Sequence, residues 1–302
     1  MRFSVFIMIS SSQNKNFIHG GFAYFLMTVA YITLSFIGQS ILDFAGLKDG
    51  TLFFAINGLI TFLAVWGVVI YATFTCPQNP LETIGFTKCK PIYFAFALVL
   101  AVGMFFGLAF INGAISEFIL KLGLNVGAIN SISVKDLGDL IVYTLVFALL
   151  PALAEETFFR GVMLNGSSRK ITHSVLITSV CFALYHGSFT QIVYQFIFGI
   201  SFAFLTIKAK SVLPCVLAHF LNNFTILLLD YLNVSVNLNN GLTIALGLML
   251  LAVFWVGILL YQRFAKLSSA KPERELTPSY GFIYGVVAIF TYVVLLFANL
   301  FA

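Results

Sequence analysis

Two adjacent carboxylates and an arginine stand inside a hydrophobic stretch of this chain. Glu155, Glu156 and Arg160 occur in the sequence L-L-P-A-L-A-E-E-T-F-F-R, within an apolar segment that runs from residue 139 to residue 164. Placing such charges in hydrocarbon costs at least about 2.5–3.5 kcal/mol each on membrane-insertion scales, so they normally pair with one another or face a polar cavity. The groups that meet these two glutamates therefore indicate what the chain can do.

Two histidines and an asparagine on later apolar segments are candidate partners. His186 follows the apolar sequence F-A-L-Y, and His219 and Asn223 lie four residues apart in H-F-L-N-N. Residues four apart share one face of a helix, so His219 and Asn223 are predicted to present two hydrogen-bonding groups in one direction. Phe182 and His186 have the same spacing, which places an apolar side chain one turn from the histidine as structural support.

The two glutamates are predicted to have different partners. Neighbouring residues on a helix point about 100° apart, because one turn takes about 3.6 residues. Glu156 is spaced to form an ion pair with Arg160 one turn later, which lowers the cost of burying both charges. Glu155 points elsewhere and is left for a different role.

The chemistry that these residue types support is hydrolysis by an activated water molecule. A buried carboxylate helped by an imidazole can act as a general base, so Glu155 with His186 is the predicted base pair. A second imidazole and an amide can stabilise the oxyanion of a tetrahedral intermediate, a role predicted for His219 and Asn223. The same residues permit a zinc mechanism in which Glu155, His186 and His219 bind the metal and leave one position for water. Both mechanisms, one without a cofactor and one with zinc, remain open at this stage.

Other catalytic signatures are absent from the sequence. There is no H-E-x-x-H zinc helix and no G-x-S-x-G nucleophile elbow. Asp139 and Asp230 both fall near the outer ends of their apolar segments, which argues against an intramembrane aspartate pair. The four cysteines show no C-x-x-C spacing, so the sequence does not support a disulfide or thiolate-metal role.

Composition assigns the chain to the polytopic membrane proteins. Of its 302 residues, 60% are hydrophobic and only 9% are charged, whereas soluble domains carry about 25% charged residues. The net charge of +5 reflects loop lysines and arginines rather than a nucleic-acid surface. We therefore expect an all-α bundle of about eight to nine transmembrane helices with an intramembrane active-site cavity, a lipid bilayer around it and no nucleic-acid partner. The oligomeric state is not indicated.

Nine apolar segments are the predicted helices, and about 20 residues are needed to cross the hydrocarbon core. They cover residues 21–42, 51–75, 91–112, 139–164, 174–185, 191–207, 212–232, 242–262 and 280–300. The fifth is too short to cross alone, and residues 115–124 are predicted to lie along the membrane interface. Pro151 is expected to kink the fourth segment just before the glutamates. The predicted organisation is a cytoplasmic lead (1–20), N-terminal transmembrane helices (21–136), a catalytic core (137–232) and C-terminal transmembrane helices (233–302).

The distribution of basic residues predicts the orientation. With the N-terminus in the cytoplasm, cytoplasmic segments hold 12 of the 16 lysines and arginines, the opposite side holds three, and Arg160 is intramembrane. This asymmetry follows the positive-inside rule. It predicts a cytoplasmic N-terminus and a C-terminus on the opposite side, whether the fifth and sixth segments cross fully or form a re-entrant pair.

Three motifs give the chain a resemblance to a known family. E-E-T-F-F-R, F-A-L-Y-H and H-F-L-N-N resemble the CPBP motifs E-E-x-x-x-R, F-x-x-x-H and H-x-x-x-N, in that order, on the fourth, fifth and seventh apolar segments. This family includes the CAAX prenyl endopeptidases and the bacteriocin-processing and bacteriocin-immunity (Abi) proteins. The resemblance implies an intramembrane endopeptidase in which Glu155 and His186 activate water and His219 and Asn223 bind the oxyanion.

The expected activity is cleavage of a membrane-associated peptide or protein, either a prenylated CAAX-type tail or a peptide or bacteriocin leader. The predicted site residues favour an opening toward the cytoplasmic leaflet. The alternative is a non-enzymatic immunity or regulatory protein that acts by binding another membrane protein. An ion-coupled transporter fits less well, because no internal repeat is present.

Overall fold

The computed structural model describes residues 18–76, 79–124, 133–167, 170–237, 239–264 and 280–301. These residues form helices joined by short loops, and the described part contains no strand, as the predicted all-α class requires. The predicted cytoplasmic lead falls almost wholly outside the described residues. We number the helices in chain order: α1 (Gly20–Phe44), α2 (Gly50–Thr75), α3 (Pro80–Thr83), α4 (Ile92–Lys121), α5 (Leu137–Gly166), α6 (Ile171–Tyr185), α7 (Ile192–Ala209), α8 (Leu213–Tyr231), α9 (Gly241–Phe264) and α10 (Tyr280–Phe301).

Eight of the described helices are long and apolar enough to cross a membrane, namely all except α3 and α6. Helix α6 has 15 residues, about 22 Å at 1.5 Å per residue, which is less than the core thickness. It ends at Tyr185, and Gly187 has a positive φ of 60°, a backbone conformation that glycine adopts without steric cost. The fifth apolar segment therefore stops at this turn and does not continue through the following polar residues.

Residues 115–121 of the stretch predicted to lie along the membrane interface belong to the same helix as the third apolar segment. Helix α4 continues from Ile92 to Lys121 without a break. Glu117 and Lys121 form an ion pair at 2.8 Å on its exposed surface, and the i,i+4 spacing supports the helix instead of ending it. The polar residues of this stretch therefore belong to the exposed C-terminal end of a long helix.

Helix α5 lies in the centre of the bundle and contacts α1, α2, α6, α7 and α8. It is not uniform along its length. Two π-helical segments, Thr144–Leu149 and Glu156–Met163, alternate with α-helical turns, and Pro151 stands in the first turn after the earlier π segment. Proline has no N–H to donate, so the carbonyl of Phe147 loses the partner that it would have in a regular α-helix.

The helices around α5 pack through small residues. A Cβ on Gly107 of α4 would lie 2.7 Å from the backbone of Gly247 in α9, so glycine at both positions lets the two backbones touch, as small residues do between membrane helices. A Cβ on Gly161 of α5 would lie 2.5 Å from the carbonyl oxygen of Ile84. The loop after α3 therefore rests directly on the π-helical segment that carries the predicted motif.

Candidate active site

The predicted motif E-E-T-F-F-R spans the junction between an α-helical and a π-helical turn of α5. Glu155 ends the α-helical turn, and all eight residues from Glu156 to Met163 are buried. π-Helical turns are rare and occur frequently at functional sites. Glu155, Glu156 and Arg160 are 6%, 0% and 2% exposed, and charged residues are almost never this buried unless they are paired.

Glu156 is the centre of a buried cluster that joins two helices. Its Oε1 atom accepts a hydrogen bond from Nη1 of Arg160 at 3.1 Å, which is the predicted ion pair. The same oxygen lies 2.8 Å from Nδ1 of His219 in α8. This second contact links residues 63 positions apart and was not predicted. It fixes the orientation of the His219 ring and leaves Nε2 as its free nitrogen.

Aromatic side chains enclose the Arg160 guanidinium. It lies 4.2 Å from the centroid of Phe182 and 5.2 Å from that of Phe202, within the range of cation–π attraction. Phe182 also packs edge-on against His186 at 4.7 Å. The predicted supporting phenylalanine therefore contacts both the arginine and one histidine, whereas the role of Phe202 was missed, because 35 phenylalanines give no signal for any single one.

Glu155 faces His186 across a short gap. Its Oε2 atom lies 3.8 Å from Nε2 of His186, too far for a direct hydrogen bond. Nδ1 of His186 is 2.8 Å from the carbonyl oxygen of Phe182, and a carbonyl can only accept. Nδ1 therefore carries the proton, and in the neutral ring Nε2 presents a lone pair toward Glu155.

Three buried polar atoms of the motif have no hydrogen-bond partner within the described chain: Oε2 of Glu155, Oε2 of Glu156 and Nη2 of Arg160. A buried polar atom without a partner costs free energy, and each such atom in a native structure calls for an explanation. Their concentration on one helical stretch is typical of a place where water or a substrate binds.

The side chain of Asn223 forms a hydrogen bond with the backbone of α5. Its Nδ2 donates to the carbonyl oxygen of Phe147 at 3.1 Å, and its Oδ1 accepts from Nδ2 of Asn222 at 3.2 Å. The acceptor is the carbonyl that Pro151 leaves without its usual partner. The structure thus brings Glu155 to His186 and Glu156 to His219, while Asn223 meets the same helix two turns earlier.

The residues proposed as zinc ligands do not form a ligand set here. Among the described residues, no group of three or more histidine, cysteine, aspartate and glutamate side chains is close enough to hold a metal ion. Nδ1 of His219 contacts Glu156, and Oε2 of Glu155 lies 3.8 Å from Nε2 of His186. The zinc mechanism and the metal-free mechanism both stay predictions.

One groove of about 400 Å³ lies between α4 and α9, away from these residues. Its lining is mostly apolar and includes Val102, Phe106, Thr243 and Leu246. None of the site residues lines it, so this groove is not the active-site cavity that the sequence predicts.

The comparisons with known proteins single out the same part of the chain. Residues 137–225 match the family model of the type II CAAX prenyl endopeptidases, Rce1-like. The match begins at the start of α5 and ends just after Asn223, so it contains every predicted site residue. It confirms the resemblance to the CPBP intramembrane proteases. Comparison with curated proteins gave no match, and neither did comparison with solved structures.

The Rce1-like match and the eight spanning helices together describe an integral, multi-pass membrane protein. Three of the spanning helices precede the matched range and two follow it. The orientation of the termini, the domain boundaries and the roles of single residues stay predictions.

Proposed function

We propose that this protein is an intramembrane endopeptidase that hydrolyses a peptide bond of a membrane-associated substrate, with water activated by Glu155 and His186. The observation that carries the proposal is the position of Oε2 of Glu155 opposite Nε2 of His186 at 3.8 Å. Both atoms are acceptors when the glutamate is ionised and the imidazole is neutral. A water molecule that touches both can donate one hydrogen to each, which directs its lone pair away from them.

In the proposed reaction this lone pair attacks the carbonyl carbon of the scissile bond. A C–O bond forms, the carbonyl π electrons move to oxygen, and the water proton passes to Glu155 or His186. Collapse of the tetrahedral intermediate breaks the C–N bond, and the leaving amine takes up the transferred proton. The products are a free carboxyl group and a free amine, so the balance requires one water and no other reactant.

His219 and Asn223 are the proposed oxyanion donors. Nδ1 of His219 is held by Glu156 at 2.8 Å, so donation to the oxyanion must come from Nε2. Donation from both ring nitrogens at once requires a protonated imidazole. Asn223 uses one N–H for Phe147 and has a second amide hydrogen for the oxyanion.

Glu156 and Arg160 are proposed to orient His219 and to take no part in the reaction itself. Arg160 and His219 contact the same carboxylate oxygen of Glu156. The Arg160 guanidinium also packs against aromatic rings. The proposed mechanism needs no metal, and no step in it involves one. The substrate classes that the Rce1-like match favours are a prenylated CAAX-type tail and, within the wider CPBP resemblance, a peptide or bacteriocin leader.

Substitution of Glu155 tests the proposal. Glu155→Gln keeps the size and burial of the side chain but removes the base. Cleavage of a prenylated CAAX-type peptide and of membrane peptides in proteoliposomes should fall by about 10²–10⁴-fold, the usual contribution of a general base. Glu117→Gln is the matched control, because Glu117 is 70% exposed and pairs with Lys121 one helical turn away.

Wild-type rates in Glu155→Gln would contradict the proposal. The competing non-enzymatic function, that of an immunity or regulatory protein, predicts that Glu155→Gln preserves the cellular phenotype while changes in the outer helices remove it. The membrane peptides that accumulate in cells can be compared between wild-type and Glu155→Gln protein. This comparison separates the two functions even while the substrate is unidentified.

A further inference from the structure

Two buried side chains, Tyr194 and Asn222, form a hydrogen-bonded chain with the partly buried Asn223. Tyr194 of α7 donates its hydroxyl hydrogen to Oδ1 of Asn222 at 2.7 Å, and Nδ2 of Asn222 donates to Oδ1 of Asn223 at 3.2 Å. Nδ2 of Asn223 then donates to the carbonyl of Phe147 at 3.1 Å. Tyr194 and Asn222 are 6% and 8% exposed, so water does not readily replace either bond.

The fixed end of this chain determines every orientation in it. The Phe147 carbonyl can only accept, so Asn223 must turn its NH₂ group toward it and its oxygen toward Asn222. Asn222 must then present its own NH₂ group to Asn223 and its oxygen to Tyr194. The tyrosine hydroxyl is therefore a donor, and all three bonds point in the same direction, an arrangement in which hydrogen bonds reinforce one another.

A backbone feature explains why Phe147 can serve as the fixed end. Residue 151 is proline, so the carbonyl four residues earlier has no i,i+4 amide partner. The side chain of Asn223 donates a hydrogen bond to this carbonyl. The chain of hydrogen bonds joins three helices: Tyr194 belongs to α7, Asn222 and Asn223 to α8, and Phe147 to the π-helical segment of α5.

We infer that Tyr194, acting through Asn222, is a positioning residue that holds the Asn223 amide in the orientation set by the Phe147 carbonyl, ready for oxyanion binding. This inference rests on the proposed function, because the orientation of Asn223 affects a rate only where Asn223 meets the oxyanion. One N–H of Asn223 is held by Phe147 and its oxygen by Asn222. The direction of the remaining N–H is thereby fixed before substrate arrives, and preorganised donors of this kind stabilise developing charge most effectively.

The Tyr194 ring also packs against its neighbours, independently of its hydroxyl group. A substitution that keeps the ring therefore keeps this packing. The ring stacks on Phe198 with centroids 5.8 Å apart, and Phe198 contacts the His219 ring at 5.7 Å. Tyr194→Phe keeps this stacking and removes only the hydroxyl. Its effect therefore reports on the hydrogen-bonded chain.

The test measures kcat and KM of purified protein in proteoliposomes with a prenylated CAAX-type peptide. Tyr194→Phe should lower kcat by about tenfold with KM nearly unchanged, as expected for an interaction that matters in the transition state. Tyr24→Phe is the matched control. Tyr24 is fully buried and its hydroxyl donates to the carbonyl of Cys181 at 3.0 Å, but it does not reach Asn223, so kcat should stay at the wild-type value.

A double-mutant cycle separates positioning from a general structural effect. In an Asn223→Ala background, Tyr194→Phe should cause no further loss, because the residue through which it acts is gone. Asn222→Ala should reproduce the loss of Tyr194→Phe, and the two together should be no worse than either alone. The inference is overturned if Tyr194→Phe has the wild-type kcat, or if its loss in the Asn223→Ala background is as large as in the wild type.

Glu155→Gln, measured beside these variants, distinguishes failure of the proposed function from failure of the positioning role. Retained cleavage in Glu155→Gln means that the proposed function has failed. Loss of cleavage in Glu155→Gln together with full activity in Tyr194→Phe overturns only the positioning role.

Discussion

At the scale of single residues, the structure assigns the two neighbouring glutamates to different partners. Glu155 faces His186, and Glu156 binds Arg160 and His219. The i,i+4 ion pair could be predicted because it is local to one helix. The contact between Glu156 and His219 could not be, because it joins residues 63 positions apart and depends on how two helices pack, which spacing along the chain does not encode.

Removal of the arginine should destabilise the fold more than removal of the whole ion pair. Arg160→Met leaves the Glu156 carboxylate, which is 0% exposed, without its main counter-charge, and breaking a buried pair in this way costs about 3–5 kcal/mol. The double substitution Glu156→Gln, Arg160→Met removes both charges of the ion pair. It should recover part of the melting temperature in detergent but not the activity, because His219 has lost its carboxylate.

Lys121→Met is the control for this comparison, since it breaks an ion pair with the same i,i+4 spacing at the exposed end of α4. Its melting temperature should stay close to that of the wild type. A melting temperature of the double substitution below that of Arg160→Met would contradict the assigned charge pairing.

Cleavage by the purified protein should persist after treatment with a metal chelator. The described side chains form no group of three metal-binding residues, and the proposed mechanism uses one carboxylate, two imidazoles and one amide. The measurement compares rates before and after chelation, with elemental analysis of the active protein. Loss of activity that returns on addition of zinc would contradict a metal-free mechanism.

At the scale of elements, the two π-helical segments of α5 position the site. The sequence predicts a long helix with a kink at Pro151. The long helix is confirmed, and near Pro151 the helix changes from π-helical to α-helical turns. The sequence does not predict the π-helical turns. Its hydrophobic periodicity follows the α-helical repeat, and the extra residue in a π-helical turn has no signature in the composition. The close approach of Ile84 to Gly161 could not be predicted either, because an isolated glycine beside the motif does not indicate which loop it contacts.

Gly161→Ala should lower both the melting temperature and the cleavage rate. The added Cβ would lie 2.5 Å from the Ile84 carbonyl oxygen and 2.8 Å from its carbon, and backbone atoms cannot move aside as a flexible side chain can. The loop after α3 must then shift, or the π-helical segment that carries Glu156 and Arg160 must. Gly161→Val should have a larger effect in the same direction.

The matched control is Gly113→Ala in α4, where no atom lies within 4 Å of the added Cβ. Alanine favours a helix over glycine, so this variant should melt at the wild-type temperature or slightly above it. Equal melting temperatures for Gly161→Ala and Gly113→Ala would show that the loop does not constrain the motif.

At the scale of the whole molecule, composition predicts the fold class and the number of helices because lipid imposes both. Eight described helices are long enough to span, and the ninth apolar segment is the 15-residue helix α6. Composition could not predict that α4 extends to Lys121. A few charged residues end the apolar stretch, but the helix itself continues through them. Composition also could not predict that residues of α5, α6 and α8 come together, because this depends on how the helices pack.

The orientation predicted from basic residues can be tested by cysteine labelling. Lys48→Cys in the loop after α1 should react with a membrane-impermeant maleimide added outside intact cells, and Lys88→Cys before α4 should not. The wild-type chain is the control for its native cysteines. Labelling of Lys88→Cys but not Lys48→Cys would reverse the orientation and place the positive charges on the outer side.

The central claim is that Glu155 activates water and does not itself attack the substrate. A single turnover in ¹⁸O-labelled water tests it most directly, because the two routes deliver the label to different places. We predict ¹⁸O in the new carboxyl group of the peptide product, none in the Glu155 side chain, and product formation by Glu155→Gln that is about 10²–10⁴-fold slower. Label in the Glu155 carboxylate, or product formed by Glu155→Gln at the wild-type rate, would contradict the account.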